Sequence, residues 1–249
     1  LNDILRLIKK EDRARLASLQ TLVSSSAQFS AASRRLCNQK FNCRVFECYG
    51  ASEIGIASTL EISNSSADIQ SVGYPAKYAQ ISIFDTKKRG AIAKTGEIGE
   101  IGVFSPLAFS HYHGLPELTD ATRSDEYFLT GDLGFFSDDG ELIFVGRKSD
   151  VIKPSGISVY PIDIESCCNE MPDIVDSCVV GFIDRLGEER VGLAVVTSGI
   201  ISKDKIFRHL ITRLAPWQLP RTIIQLNDLP KTPIGKLDRR AIGTTLELA

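Results

Sequence analysis

The stretch YFLTGDLGFFSDDGELIFVGRKSDVIKPSGISVYPIDIE, Tyr127 to Glu165, changes character twice within one reading. Two short β-rich runs, YFLTGDLGFF and ELIFVG, stand either side of Asp139-Gly140, a pair that suits a tight hairpin. A polar basic segment, Lys148 to Gly156, follows. Then VYPIDIESCCNEM reads as a helix with Pro161 in its first turn, where the missing amide hydrogen costs nothing. One region therefore ends and another begins inside this block, and the spacing predicts a domain boundary between 147 and 148.

Upstream, residues 71–147 continue the β-rich character in YAQISIFD and GEIGEIGVFS, which predicts a small β-barrel or sandwich. Further upstream, residues 1–70 read as an α/β segment. Residues 1–20 have helical spacing, LQTLV reads as a short buried strand, and SAASRRLCNQKF reads as a helix capped by Ser30. RVFECYG reads as a strand entering a loop with Ser52 and Glu53. Downstream, residues 148–249 read as a small α+β domain. DSCVVGFID and RVGLAVVT form a strand pair, and RTIIQL a last strand. Ser202 caps an amphipathic helix with Ile206, Phe207, Leu210, Ile211 and Leu214 on one face.

The 249 residues are 43% apolar and 24% charged, enough for a sizeable core. A net charge of −2 and short, interrupted basic patches argue against nucleic acid as a partner. No apolar run is long enough for a transmembrane helix. The six cysteines, at 37, 43, 48, 167, 168 and 178, show no CxxC pairing and no metal-ligand rhythm. Read as small apolar residues, they place the chain in a reducing compartment, the cytoplasm. His111 and His113 lie two apart on an expected strand, a spacing compatible with a metal but with no third ligand nearby. The chain begins with Leu1 inside a helical pattern, which leads to the expectation that it is part of a longer protein.

Singly, the polar loops are ordinary turns and caps. Their order is informative. SLQTLVSSSAQFS resembles an SGGAPL-type segment, and ECYGASE resembles YGxTE. GEIGEIGVFSPLAFSHYHGLPELT, the opening block, and LAPWQLPRTIIQLNDLPKTPIGKLDRRAI with its PxTxxGK signature complete five matches in family order. Together they resemble the C-terminal half of an acyl-adenylate-forming (AMP-binding) enzyme, closest in look to acyl-CoA synthetases. The fold implied is a partial large N-terminal domain, made of an α/β sheet remnant and a small β-barrel, followed by a small mobile α+β lid domain.

The resemblance also implies a chemistry. A carboxylic acid, fatty or aryl, attacks the α-phosphorus of ATP to give acyl-AMP. The thiol of coenzyme A, or of a carrier-protein phosphopantetheine, then displaces AMP. Ser25, Ser26, Ala27, Tyr49, Gly50, Ser52, Asp132 and Arg147 would hold the nucleotide. Tyr49 would stack on adenine, Asp132 would accept from the ribose hydroxyls, and Glu53 would hold Mg²⁺. Lys236 would contact the reacting carboxylate and the α-phosphate. Lys148, Ser149 and Asp150 would form a hinge. Lys153 would act in the second half-reaction, with Ser155 and Gly156 lining the thiol tunnel.

The match departs from the pattern in places. Ser25 and Ser26 replace glycines, Ser149 replaces a charged hinge residue, and Pro154 stiffens the loop after Lys153. No segment of residues 1–44 resembles a Ser/Thr/Gly-rich phosphate loop. The missing N-terminal half is thus expected as a partner, with this chain alone incomplete as an enzyme. The alternatives are an acyl-AMP ligase that loads a carrier protein and a non-catalytic nucleotide-binding relative.

Overall fold

A computed structural model describes residues 2–9, 12, 15–25, 31–62, 70–88, 90–233 and 235–248. The chain forms two compact units, Leu1–Val145 and Gly146–Ala249.

The first unit opens with α1 (Asn2–Leu7), far shorter than the helix the periodicity predicts over residues 1–20. The Asp12 carboxylate accepts from the Lys9 amide at 2.9 Å, and residues 15–18 turn, so Leu16 and Leu19 reach the core from a turn rather than from a helix face. β1 (Thr21–Ser25), α2 (Ala31–Lys40) and β2 (Arg44–Ala51) make a crossover that leaves β1 parallel to β2. β1 is an edge strand with Val23 59% exposed, not the buried strand expected from LQTLV. β3 (Gly55–Ile62) returns antiparallel to β2 as a hairpin, and β4 (Tyr74–Pro75) pairs with β3. Ser30, read as the cap of α2, lies outside the described residues.

The second sheet of this unit is antiparallel and curled. β5 (Gln80–Phe84), β6 (Gly99–Phe104), β7 (Arg123–Ser124) and β8 (Tyr127–Phe136) take the order β5-β6-β8-β7, and β9 (Leu142–Arg147) also pairs with β8. The short helix α3 (Pro116–Ala121) precedes β7. Asp139-Gly140 does turn the β8–β9 hairpin: the Ser137 amide donates to Glu141 O at 2.9 Å. Residues 72–73 join β9 through the backbone: the Val72 amide donates to Leu142 O, and the Leu142 amide donates to Gly73 O. Beneath this join lies a core of Ile54, Ala57, Val72, Ile83, Ile101, Val103, Phe128 and Leu142.

In the second unit, α4 (Pro161–Asn169) leads into the antiparallel pair β10 (Ile174–Ile183) and β11 (Glu189–Thr197). α5 (Lys203–Ile211) then crosses to β12 (Thr222–Gln225), which runs parallel to β11, and α6 (Arg239–Glu247) ends the fold. The alternation of the strands sets the layers. Val179, Leu193, Val195 and Ile223 pack with Ile164 of α4 and with Ile206 and Leu210 of α5. Cys178, Val180, Phe182, Ala194 and Ile224 face the other way, onto Ile242 and Leu246 of α6. Ser202 Oγ caps α5 by accepting from the Lys205 amide. The apolar stripe of α5 is narrower than its sequence predicts, because Phe207 and Ile211 stay exposed. Five cysteines are buried and all six are free thiols; burial pushes Cys168 and Cys178 up to about 12. Among the described residues, no helix is long and apolar enough to cross a membrane.

Candidate active site

The TGD segment owes its shape to an irregularity in β8. Across β6 and β8, Glu100 faces Leu133 and Gly102 faces Leu129, so Thr130, Gly131 and Asp132 all stand against Ile101 alone. Such a bulge bends a strand and re-aims its side chains. Gly131 takes φ 72°, a conformation closed to most side chains, and Thr130 ties the bulge down. Its hydroxyl donates to Ile101 O at 2.9 Å and accepts from the Asp132 amide at 3.1 Å. Asp132 is thereby held only 4% exposed, with its Oδ1 buried.

Tyr49 meets it from the first sheet. The Tyr49 hydroxyl donates to Asp132 Oδ2 at 2.8 Å, and its ring lies 6.0 Å from Phe144. A hydrogen bond to a carboxylate of this kind contributes about 1.5–3 kcal/mol. Two motifs far apart in sequence, ECYGASE and LTGD, are joined by it. Ser25 pairs with Cys48 in the β1–β2 register, one residue from Tyr49. Gly50 sits where the backbone doubles back: a Cβ there would meet Gly55 O at 2.2 Å, so this glycine is required by the hairpin itself. Ser52 is exposed in the turn between β2 and β3. Ser26 and Ala27 lie outside the described residues.

Glu53 follows in the same turn. Its Oε1 accepts from the Tyr112 hydroxyl at 3.0 Å, and its carbonyl accepts from the Phe109 amide at 2.9 Å. Burial, then the hydrogen bond to Glu53 and its charge, raise the Tyr112 hydroxyl above its ordinary pKa, so it remains a donor. His111 and His113 occupy an exposed loop rather than the expected strand, and His111 Nδ1 is engaged with Ser110 Oγ at 2.9 Å. Among the described residues, no group of three metal-ligating side chains assembles.

The remaining predicted residues belong to the second unit. Arg147 and Lys148 are exposed, and Lys148–Asp150 form one turn of 3-10 helix in which Ser149 Oγ donates to Asp150 Oδ1 at 3.0 Å. Lys153 opens a tight loop closed by the Ile152–Val159 bridge, and its amide donates to Glu189 Oε2 at 2.9 Å. Ser155 takes φ 51° and Gly156 φ 82°, so this loop carries a non-glycine residue in left-handed backbone. Lys236 is exposed on a hairpin loop in which Thr232 N donates to Lys236 O at 2.7 Å and Thr232 Oγ1 accepts from Lys236 N at 3.2 Å. Gly235, at φ 81°, makes that turn.

Sequence reading missed Arg239, which meets Asp150, Glu189, which meets Lys153, and Glu165, which holds Arg239. Arg239 carried a signal: it is the first residue of α6, where the helix dipole disfavours a cation unless acids compensate.

Two family models match the chain, "AMP-binding enzyme" over residues 1–113 and "AMP-binding enzyme C-terminal domain" over 163–236. The 4-coumarate–CoA ligase-like protein 6 of Oryza sativa is 30% identical over 244 residues, covering 94% of this chain and 40% of that protein. A medium/long-chain-fatty-acid–CoA ligase of Mycobacterium tuberculosis is 29% identical, covering 91% of this chain and 41% of its own length. Among solved structures, ATP-bound MatB from Rhodopseudomonas palustris superposes with a TM-score of 0.84 at 27% identity, over 99% of this chain and 53% of that one. The chain therefore spans about two fifths of the length of these curated relatives. The stretches matched carry Tyr49, Ser52 and Glu53 at one end and Lys236 at the other, and the chain belongs to the AMP-binding enzyme family.

Proposed function

We propose that this chain is the part of an acid–thiol ligase that holds the nucleotide and carries the mobile lysine. In the protein of full length it activates a fatty or aryl carboxylic acid with ATP and passes the acyl group from acyl-AMP to coenzyme A. The observation that supports this most directly is the Tyr49–Asp132 hydrogen bond. It sets an aromatic ring and an ionised acceptor side by side, the pair needed to stack a base and accept from ribose hydroxyls. Ser52, on the neighbouring turn, donates to the α-phosphate. Lys236 supplies positive charge to the phosphate and carboxylate oxygens during adenylation, where charge builds in the transition state. Rotation about Lys148–Asp150 then exchanges Lys236 for the Lys153–Gly156 loop, which shapes the path of the thiol.

Glu53 fits a magnesium ion that arrives with ATP. Such an ion takes one or two carboxylates and fills its remaining positions with phosphate oxygens and water, so a single half-exposed carboxylate suffices. Bound there, the ion would neutralise charge on the phosphate oxygens.

ATP–pyrophosphate exchange and hydroxamate trapping over a panel of fatty and aromatic acids test the first half-reaction. They are run on this chain and on a polypeptide extended upstream to the length of the relatives. Acid-dependent exchange in the longer protein is the expected result, and its absence over the whole panel would overturn the reading. Coenzyme A and a holo-carrier protein, offered together, then identify the acceptor, with the CoA thioester expected to dominate.

A further inference from the structure

Arg239 gathers three separate elements onto one guanidinium. Its Nη1 donates to Glu165 Oε1 of α4 at 2.8 Å and to Val179 O of β10 at 2.6 Å, and its Nη2 reaches Glu165 Oε2 at 3.4 Å. Its Nε lies 3.3 Å from Asp150 Oδ2, in the turn that begins this unit. Glu165 is 4% exposed and also accepts from the Val179 amide at 2.8 Å, so its carboxylate is held by β10 as well as by the guanidinium. Burial works against the charge, yet Glu165 and Asp150 together hold the Arg239 pKa above its ordinary value.

The path from Arg239 back to Lys236 has no slack. Leu237 bridges Lys231, the Asp238 amide donates to Pro230 O at 2.9 Å, and the Asp238 side chain caps α6 by accepting from the Ala241 amide at 3.0 Å. Wherever Arg239 is fixed, the Lys236 loop is fixed with it. The Glu165 contact accounts for stability, since truncating one partner of a buried pair leaves the other charge stranded. The Asp150 contact does not, because Asp150 is about a third exposed and such pairs contribute little to folding. Its effect is geometric.

We propose that Arg239 is a positioning residue that locks the Lys236 loop to the pivot turn Lys148–Asp150, so that loop and pivot move as one body. The proposal rests on the roles given above to Lys236 and to that turn. Arg239→Gln and Asp150→Asn are compared with Arg239→Lys, each with and without Lys236→Ala, in the longer protein. Arg239→Gln lowers adenylation by about tenfold to a hundredfold, the scale of a misplacement near 1 Å. Arg239→Lys restores part of it, thioester formation from supplied acyl-AMP is spared, and the loss vanishes once Lys236 is alanine. A loss that stays multiplicative in the Lys236→Ala background would show a merely structural role and overturn the proposal. In the 249-residue chain itself, Asp150→Asn speeds amide exchange across residues 231–238 without moving the melting temperature; unchanged exchange would also overturn it. If Lys236→Ala leaves adenylation intact, the role of Lys236 falls, and the exchange measurement still decides whether the lock exists.

Discussion

Among the described residues, each unit of the molecule sets an arginine against a buried glutamate, and the two pairs are built for different ends. In the first unit, Arg34 of α2 pairs with Glu47 of β2 and donates to Ser71 O at 2.7 Å; both side chains are under 10% exposed. The ion pair joins α2 to β2. In the second unit, Arg239 is 28% exposed and divides itself between a buried glutamate and a half-open aspartate in a turn. A closed pair fastens a helix to a sheet, whereas an open one can carry position from one segment to another. The half-open Asp150 separates the cases.

The largest effect is expected at the closed pair. Arg34→Met should destabilise the first unit by about 3–5 kcal/mol, because Glu47 is left charged and enclosed. Adding Glu47→Leu should recover most of that loss, and denaturant melts of the single and double variants measure it. A double variant no better than the single would mean that the pair does more than fasten a helix.

Lys236→Ala comes next, with adenylation falling on the order of a hundredfold while thioester formation from supplied acyl-AMP persists. Both half-reactions assayed side by side decide it, and equal loss in both would remove the role assigned to Lys236. Asp132→Ala should raise the KM for ATP by an amount matching about 1.5–3 kcal/mol per lost hydrogen bond. An unchanged KM would make the TGD bulge structural only.

The smallest effects distinguish the two caps of the second unit. Ser202→Ala and Asp238→Ala each remove one side-chain acceptor at a helix start, at about 1 kcal/mol of stability. Their melting curves should therefore nearly coincide. Only Asp238→Ala should lower adenylation, because only that cap lies on the line between Arg239 and Lys236.

What the sequence made legible follows from how local each feature is. The Asp139-Gly140 turn, the Pro161 start of α4 and the alternating strands β10 and β11 are set by neighbours along the chain, and they stand where the pattern put them. The β2–β3 hairpin escaped notice because its turn, Ala51 to Gly55, carries no Asn-Gly or Asp-Gly pair, and ECYGASE reads as a strand entering an open loop. The helix expected through residue 20 failed because a single aspartate, Asp12, offered the backbone a competing turn. His111 and His113 were misplaced because alternation alone cannot tell an edge loop from a strand. At the site, motif order suggested which residues matter, but not that Tyr49 and Asp132 touch. That contact depends on a bulge, and a bulge is invisible until the partner strand is known. Arg239 was hidden for a similar reason: its acids lie about 75 and 90 positions away in the chain.

The bulge at Thr130–Asp132 has a consequence for how this protein could change length over evolutionary time. β8 spends four steps, Leu129 to Leu133, where β6 spends two, Gly102 to Glu100, so the surplus is an even number and the in–out alternation is the same on both sides. Losing one residue there would turn Leu133 toward the wrong face and leave the rest of β8 inside out. Losing two would restore a plain ladder and keep the sheet, and losing Gly131 with Asp132 would delete the acidic acceptor. Insertions and deletions at this point should therefore be tolerated in pairs, and a small deletion library scored for soluble expression would read that parity directly.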